Sequence, residues 1–108
     1  MITDAFRLDG KVALITGASK GIGAGIATAF AEMGANIALL ARSEEELQAV
    51  AGAVEALGVE ALPLACDITS DTDINMALEQ LRSRFGRLDI LINNAGGPGK
   101  GYGSLEDV

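Results

Sequence analysis

The sequence has no histidine and no tryptophan, and its 108 residues include one cysteine, one tyrosine and two prolines. The lack of histidine removes the commonest general base and the commonest metal ligand, and we predict no metal site. The single cysteine, Cys66, excludes an internal disulfide and a zinc motif, and we expect it to be a small buried side chain. No apolar run approaches 18 residues, and Met1–Gly10 has no apolar signal-peptide core. We therefore expect a cytoplasmic protein without a membrane span.

Basic residues are also scarce. Eight Lys and Arg stand against 15 Asp and Glu, which gives a net charge of −7. Because no basic stripe is visible, nucleic acid is not an expected partner. Hydrophobic residues make up 49% of the chain, with 14 glycines and only 4% aromatic residues. This composition is typical of one globular domain in which Val, Ile, Leu and Ala pack on a buried sheet.

Four short apolar runs alternate with three segments of helical periodicity. The predicted strands are Lys11–Thr16, Asn36–Ala41, Glu60–Cys66 and Leu88–Ile92. The predicted helices are Gly21–Met33, with Ile22, Ile26 and Phe30 on one face, and two that begin at the capping patterns Ser43-x-x-Glu46 and Ser70-x-x-Asp73 and end at Gly58 and Gly86.

This alternation predicts an α/β fold, a doubly wound parallel sheet of the Rossmann type with strand order 3-2-1-4. Pro63 lies in the third strand, where it removes a ladder donor, so that strand should form an edge of the sheet. Ligands bind such sheets beyond the carboxyl ends of the strands, where the strand order reverses. Two polar stretches, Thr16–Gly23 and Asn93–Gly96, follow the two strands that flank this point.

The first of these stretches is Thr16-Gly17-Ala18-Ser19-Lys20-Gly21-Ile22-Gly23. A glycine turn between a strand and a helix predicts a phosphate site, because the helix N-terminus offers unpaired N–H groups and a partial positive charge. Gly17 would allow the tight exit from the strand, Gly21 the approach of a phosphate and Gly23 the close packing of the helix. The alternative is a glycine turn that only joins strand to helix.

The end of the second strand bears on the choice of cofactor. A ribose with a free 2′-hydroxyl is usually bound there by Asp or Glu. This chain instead has Arg42 and Ser43, and its first acidic residue is Glu44. A cation matches the 2′-phosphate of NADP, and Lys20 is a second cation able to reach it. We therefore expect NADP rather than NAD; the alternative is that both cations are only solvated surface charges.

Together, Thr16-Gly17-x-x-x-Gly21-Ile22-Gly23 and Asn93-Asn94-Ala95-Gly96 resemble the short-chain dehydrogenase/reductase family, and Asp67 matches a third family position. The resemblance covers the whole chain but only the first half or less of a typical member. It implies that the glycine stretch holds the pyrophosphate, that Asp67 and the backbone of Ile68 place the adenine, and that Asn94, Ala95 and Gly96 line the ribose and the approach to the nicotinamide. Asn93 would tie neighbouring strands. The predicted cofactor-binding residues are Gly17, Ser19, Lys20, Gly21, Ile22, Gly23, Arg42, Ser43, Asp67, Ile68, Asn94, Ala95 and Gly96.

The family's catalytic Tyr-x-x-x-Lys pair has no counterpart in the sequence. The one tyrosine, Tyr102, lies in a glycine loop and is followed four residues later by Glu106, while Ser104 has the pattern of a helix cap. We therefore predict no catalytic residue in this chain. An acidic residue would be expected where Arg42 stands in a methyltransferase, which disfavours that class.

We interpret residues 1–108 as the cofactor-binding part of a single domain that continues beyond Val108. The resemblance implies an NADP(H)-dependent oxidoreductase acting on a small-molecule carbonyl or alcohol, similar to 3-oxoacyl carrier-protein reductases and to sugar or polyol dehydrogenases. The alternative is a free-standing nucleotide-binding fragment without catalytic activity. Because the fourth strand would leave its outer edge exposed, we also expect self-association into a homo-oligomer.

Overall fold

The computed structural model describes residues 7–94, in which strands and helices alternate as predicted. The strands are β1 (Val12–Thr16), β2 (Asn36–Ala41), β3 (Ala61–Ala65) and β4 (Ile90–Ile92). The helices are α1 (Gly21–Glu32), α2 (Glu44–Glu55) and α3 (Asp71–Phe85). The element order is confirmed, and the observed elements are shorter than predicted by one to three residues at several ends.

The four strands form one parallel sheet in the order β3-β2-β1-β4, which confirms the predicted doubly wound topology. In register, Leu14 of β1 lies between Ala38 of β2 and Leu91 of β4. Since the strands are parallel, their carboxyl ends share one edge of the sheet, where all three strand-to-helix loops begin. This edge is called the carboxyl edge below.

Because β3 lies at the edge of the sheet, Pro63 costs the sheet no main-chain hydrogen bond. The amide of Ile37 donates to the carbonyl of Glu60 over 2.9 Å, and the amide of Cys66 donates to the carbonyl of Ala41 over 2.8 Å. Even-numbered β3 residues therefore bond to β2, and the main-chain nitrogen of Pro63 faces away from it. The predicted edge position of this strand is confirmed.

Apolar side chains are buried on both faces of the sheet. On the face covered by α1 and α2, the largest fully buried residues are Ile15, Ile37, Leu39, Leu47 and Val54. The face covered by α3 buries Leu14, Ala38, Leu40, Leu64, Cys66, Ala77 and Leu81. Cys66 is only 2% exposed, as expected, and burial raises the pKa of its thiol. No helix in residues 7–94 is long and apolar enough to cross a bilayer.

The apolar face predicted from Ile22, Ile26 and Phe30 is not the most buried face of α1. Ile22 is 74% exposed, whereas the buried residues of the helix are the small Gly23, Ala27 and Ala31. Ile26 and Phe30 only flank this buried stripe. Small residues let the helix axis approach the sheet closely, so the larger side chains are displaced to the sides of the contact.

Both predicted capping serines are confirmed. Ser43 Oγ accepts a hydrogen bond from the amide of Glu46, and Ser70 Oγ accepts one from the amide of Asp73, each over 3.2 Å. Gly86 ends α3 in the left-handed conformation, with φ = +72°. These local signals fix where α2 and α3 begin at the carboxyl edge of the sheet.

Candidate nucleotide-binding site

The loop between β1 and α1 lies over the carboxyl ends of β1 and β2. Gly17 leaves β1 with φ = +62°, the left-handed conformation that the tight exit requires. The next residue, Ala18, is fully buried, and its amide donates to the carbonyl of Leu40 at the end of β2 over 3.2 Å. The glycine loop is therefore fixed to the sheet at its start, and Ser19 and Lys20 lead from there into α1.

Helix α1 begins without a side-chain cap. Lys20 occupies the N-cap position in extended conformation and its side chain makes no capping bond, and the first turn has no acidic residue. By contrast, Ser43 and Ser70 cap α2 and α3, and both first turns carry acidic side chains. Among the described helices, α1 is thus the one whose N-terminal N–H groups and partial positive charge are left available to an anion.

Two exposed cations lie at the carboxyl edge of the sheet, where this helix begins. Arg42 follows β2, Lys20 precedes α1, and neither forms an ion pair with a described residue. The other arginines of the described chain are all paired: Arg7 with Asp9, Arg82 with Glu79, Arg84 with Glu60 and Arg87 with Asp89. Lys11 is also without an ion pair in residues 7–94, but it lies at the opposite edge of the sheet.

The two later glycines of the loop have different roles. A Cβ on Gly23 would collide with the carbonyl oxygen of Gly17 and would lie 2.8 Å from Nδ2 of Asn94. The close approach predicted at Gly23 is therefore present, and its partners are loop atoms. Gly21 adopts φ = +64°, and a Cβ there would meet nothing within 4 Å. The open side at Gly21 leaves space beside the N-terminus of α1.

Thr16 links the two polar stretches. Its hydroxyl oxygen accepts a 2.8 Å hydrogen bond from the amide of Asn94, and the hydroxyl lies 3.0 Å from Oδ1 of Asn93, to which it can donate. Asn94 Nδ2 also donates to the carbonyl of Gly17 over 3.3 Å. The ends of β1 and β4 are thus tied by side chains, Asn93 among them as expected. Thr16 was not among the predicted site residues; its signal was a polar residue at the end of an apolar strand.

The loop after β3 carries Asp67 and Ile68. Asp67 Oδ1 accepts hydrogen bonds from the amide of Thr69 over 2.9 Å and from its hydroxyl over 2.6 Å. These bonds, followed by the charge of Arg42, hold the pKa of Asp67 below its ordinary value. Asp67 Oδ2 accepts no hydrogen bond from a described residue. One carboxylate oxygen therefore holds the turn while the other stays open, and Ile68 beside it is 37% exposed.

The structure brings most of the predicted residues to one edge of the sheet. The glycine loop and Asn94 meet beyond β1 and β4, while Arg42 and Asp67 lie near each other beyond β2 and β3. Ser43 lies beside Arg42, where its hydroxyl oxygen caps α2. Two predicted residues, Ala95 and Gly96, lie outside the described residues, as do Tyr102, Ser104 and Glu106.

The sequence profile of the short chain dehydrogenases matches residues 11–107. The chain belongs to this family. Solved structures of short-chain dehydrogenases superpose on this chain with TM-scores of 0.78 and 0.81, so the predicted fold and family are confirmed together. The narrower likeness to 3-oxoacyl carrier-protein reductases stays a prediction.

Three relatives illustrate the similarity to other short-chain dehydrogenases. An uncharacterized oxidoreductase of Mycobacterium tuberculosis is 45% identical over 97 residues, which cover 90% of this chain and 37% of the relative. L-Sorbose reductase of Gluconobacter frateurii, crystallised with NADPH and L-sorbose, is 44% identical with a TM-score of 0.81, over 85% of this chain and 35% of the reductase. An NAD⁺-bound xylitol dehydrogenase is 41% identical with a TM-score of 0.81, over 84% of this chain and 35% of the dehydrogenase. The chain thus spans little more than a third of the length of these relatives.

Proposed function

We propose that this chain is the cofactor-binding part of an NADP(H)-dependent oxidoreductase. The full enzyme would transfer hydride between the nicotinamide and a small-molecule carbonyl or alcohol. The family to which the chain belongs supports an oxidoreductase with a nicotinamide cofactor, and the bound cofactor supplies the hydride chemistry. The residues of this chain bind and orient that cofactor. The 2′-phosphate preference, the roles of single residues and the substrate class are our proposals.

The observation that carries this proposal is the uncapped start of α1, at the sheet edge that also carries Lys20 and Arg42, cations that form no ion pair with a described residue. An N-cap side chain typically contributes about 1 kcal/mol, so a helix that lacks one forgoes stability that α2 and α3 have. A pyrophosphate at the helix N-terminus would accept hydrogen bonds from the same N–H groups and would interact favourably with the helix dipole. The free N–H groups therefore fit a dinucleotide better than they fit a simple turn.

Arg42 and Lys20 support NADP over NAD. An NAD site places a carboxylate at the end of β2, whereas here a cation stands there and forms no ion pair with a described residue. A hydrogen bond to a charged group contributes about 1.5–3 kcal/mol, so one such bond to a 2′-phosphate gives a preference of about tenfold or more. Because the similar solved structures hold NADPH in one case and NAD⁺ in another, family likeness does not choose between the two cofactors.

The adenosine would lie between the loops that follow β2 and β3. Asp67 Oδ2, which accepts no bond from a described residue, would accept one from the adenine amino group. Ile68 would contact the ring, and Asn94 with Ala95 and Gly96 would line the ribose and the path to the nicotinamide. Asn94 is well suited to this role because its amide and its side chain are both fixed by β1 and the glycine loop.

Cofactor titration tests the proposal. We expect NADPH to bind about tenfold or more tightly than NADH, and we expect the double variant Arg42→Ala and Lys20→Ala to narrow that ratio to about unity. Lys11→Ala is the matched control, because Lys11 is also a cation without an ion pair in residues 7–94 but lies at the opposite edge of the sheet. Equal affinities of the unmutated protein for NADPH and NADH would overturn the NADP assignment.

A second candidate function is a nucleotide-binding module without catalysis, favoured by the absence of a Tyr-x-x-x-Lys pair from the sequence. The two candidates differ in one measurement, made on the product of the complete reading frame. A catalytic protein consumes NADPH in the presence of a ketose such as L-sorbose, while a binding module binds NADPH and leaves its absorbance unchanged. For the 108-residue chain we expect binding without turnover, and turnover would show that its own residues supply the acid–base step.

A further inference from the structure

We infer that Asp73 is a positioning residue that fixes Asp67 for recognition of the adenine amino group. This inference rests on the proposed function, since it concerns the adenine end of the same site. Asp73 lies in the first turn of α3, whereas Asp67 lies in the preceding loop, so the sequence pattern gives Asp73 only a capping role. Its contacts assign it a different one.

The carboxylate of Asp73 does not make the bond that a capping box would predict. In a capping box it would accept from the amide of Ser70, but that amide donates to the carbonyl of Asp67 over 2.9 Å. The carboxylate instead extends three residues further back, where Asp73 Oδ2 accepts from the amide of Asp67 over 3.0 Å. This bond is partly buried, and it joins α3 directly to the start of the loop that follows β3.

Asp67 is consequently held at three points. Asp73 accepts its N–H, Ser70 donates to its C=O, and Thr69 donates twice to its side-chain Oδ1. With the backbone and one carboxylate oxygen fixed, the position of Oδ2 is set as well. A hydrogen-bond acceptor that is already oriented loses little conformational entropy on binding. Loss of the Asp73 bond would remove one of the two main-chain hydrogen bonds that hold Asp67 and leave its N–H without a partner.

Helix α2 provides the comparison. Glu46 occupies the same position after Ser43 as Asp73 does after Ser70, and its amide bonds the capping serine in the same way. In the described part of the chain, however, the Glu46 carboxylate accepts no hydrogen bond. Both acids gain from the dipole of their helices, and the hydrogen bond that distinguishes Asp73 from Glu46 is the one to Asp67. Glu46→Ala is therefore the matched control for Asp73→Ala.

The experiment measures binding of two cofactors to the 108-residue chain: NADPH and its hypoxanthine analogue, in which an oxo group replaces the adenine amino group. For the unmutated protein we expect NADPH to bind about tenfold more tightly, a difference of about 1.4 kcal/mol. For Asp73→Ala we expect NADPH affinity to fall about tenfold and the affinity for the analogue to change little, so that the preference disappears. Asp73→Asn keeps an acceptor oxygen and should retain most of the preference, and Glu46→Ala should retain all of it.

The outcomes separate this inference from the function on which it rests. If the unmutated protein binds NADPH and prefers it to the analogue, but Asp73→Ala keeps that preference, the positioning role is overturned and the proposed function stands. A uniform loss of affinity for both cofactors would also overturn it, since that indicates only a structural role. If the unmutated protein binds neither cofactor, the proposed function fails and this inference fails with it. Circular dichroism of each variant establishes that it is folded.

Discussion

At the scale of single residues, two glycines of α1 show how differently the same residue type can be used. Gly23 packs against the carbonyl of Gly17 so closely that no side chain fits, and a Cβ there would also lie 2.8 Å from Nδ2 of Asn94. Gly25 is exposed in the middle of the same helix, and a Cβ there would meet nothing within 4 Å. One glycine is required by packing and the other is not.

The two positions give a matched pair of substitutions. We expect Gly23→Ala to lower the free energy of unfolding by about 1–3 kcal/mol, because the added methyl forces the glycine loop away from α1. Gly25→Ala should raise it by about 0.5–1 kcal/mol through helix propensity alone. Urea unfolding followed by circular dichroism measures both values. Equal effects of the two substitutions would mean that the helix start is not tightly packed.

Some residues of the candidate site could be predicted from the sequence and others could not. The glycine loop, Arg42 and Asp67 were found because they follow strands, and strand ends can be read from local apolar runs. The link from Asp73 to Asp67 was not predicted, because it depends on how the intervening turn folds. The hydrogen bond between Thr16 and Asn94 joins residues that are 78 positions apart in the sequence. A pattern within one segment cannot show which distant residue will contact it in the folded chain.

At the scale of the secondary-structure elements, the helices begin in two ways: α2 and α3 have serine caps that stabilise them, and α1 has no cap and leaves its N–H groups available to a ligand. The serine caps of α2 and α3 were correctly predicted, since a cap is a local pattern. The large apolar residues of α1 do not mark its most buried face, because close packing on the sheet selects small residues there. The uncapped start of α1 is recognised by comparing its N-cap residue with the capping serines of α2 and α3.

A cap can be added to α1 at the expense of its anion site. We expect Lys20→Ser to raise the free energy of unfolding by about 1 kcal/mol, because a serine at the N-cap satisfies one free N–H group. The same substitution should weaken NADPH binding, since it removes a cation and occupies an N–H group. Lys20→Ala removes the cation without adding a cap and should weaken binding with no gain in stability. Thermal unfolding and cofactor titration of both variants measure these effects. Tighter NADPH binding by Lys20→Ser than by the unmutated protein would contradict the expectation.

At the scale of the whole molecule, acidic side chains that accept hydrogen bonds link stability to pH. Asp89 accepts from the side chain of Arg87 and from the amide of Val12, and these bonds, in that order, lower its pKa. The hydrogen bonds that Asp67 accepts from Thr69 lower its pKa similarly. A carboxyl whose pKa is lowered by folding stabilises the native state above its unfolded pKa of about 3.9, and this contribution is lost as the pH falls toward the lowered value.

We therefore expect the thermal stability to fall as the pH drops below about 4. Asp89→Asn should lower the stability at pH 7 and flatten its decline in acid, because the substituted side chain no longer takes up a proton on unfolding. Glu55→Gln is the control, since Glu55 is exposed and its carboxylate accepts no hydrogen bond from a described residue. Melting temperatures between pH 7 and pH 2.5 give the comparison, and parallel curves for Asp89→Asn and the unmutated protein would contradict the expectation.

Pro63 has a consequence for how copies of this chain can assemble. It leaves the outer side of β3 without one of the amide donors that a further strand would need, whereas β4 pairs only with β1 among the described strands. Two copies joined through their β4 edges would present only their β3 edges outward. Such an assembly is closed, so we expect the 108-residue chain to form dimers that do not extend into filaments.

Sedimentation velocity over a range of tens of micromolar tests this expectation, with a monomer at all concentrations as the contradicting result. Pro63→Val would restore the missing donor at β3. If the proline is what limits assembly to two copies, this one substitution should convert a finite, concentration-dependent dimer into an open-ended polymer detectable by light scattering.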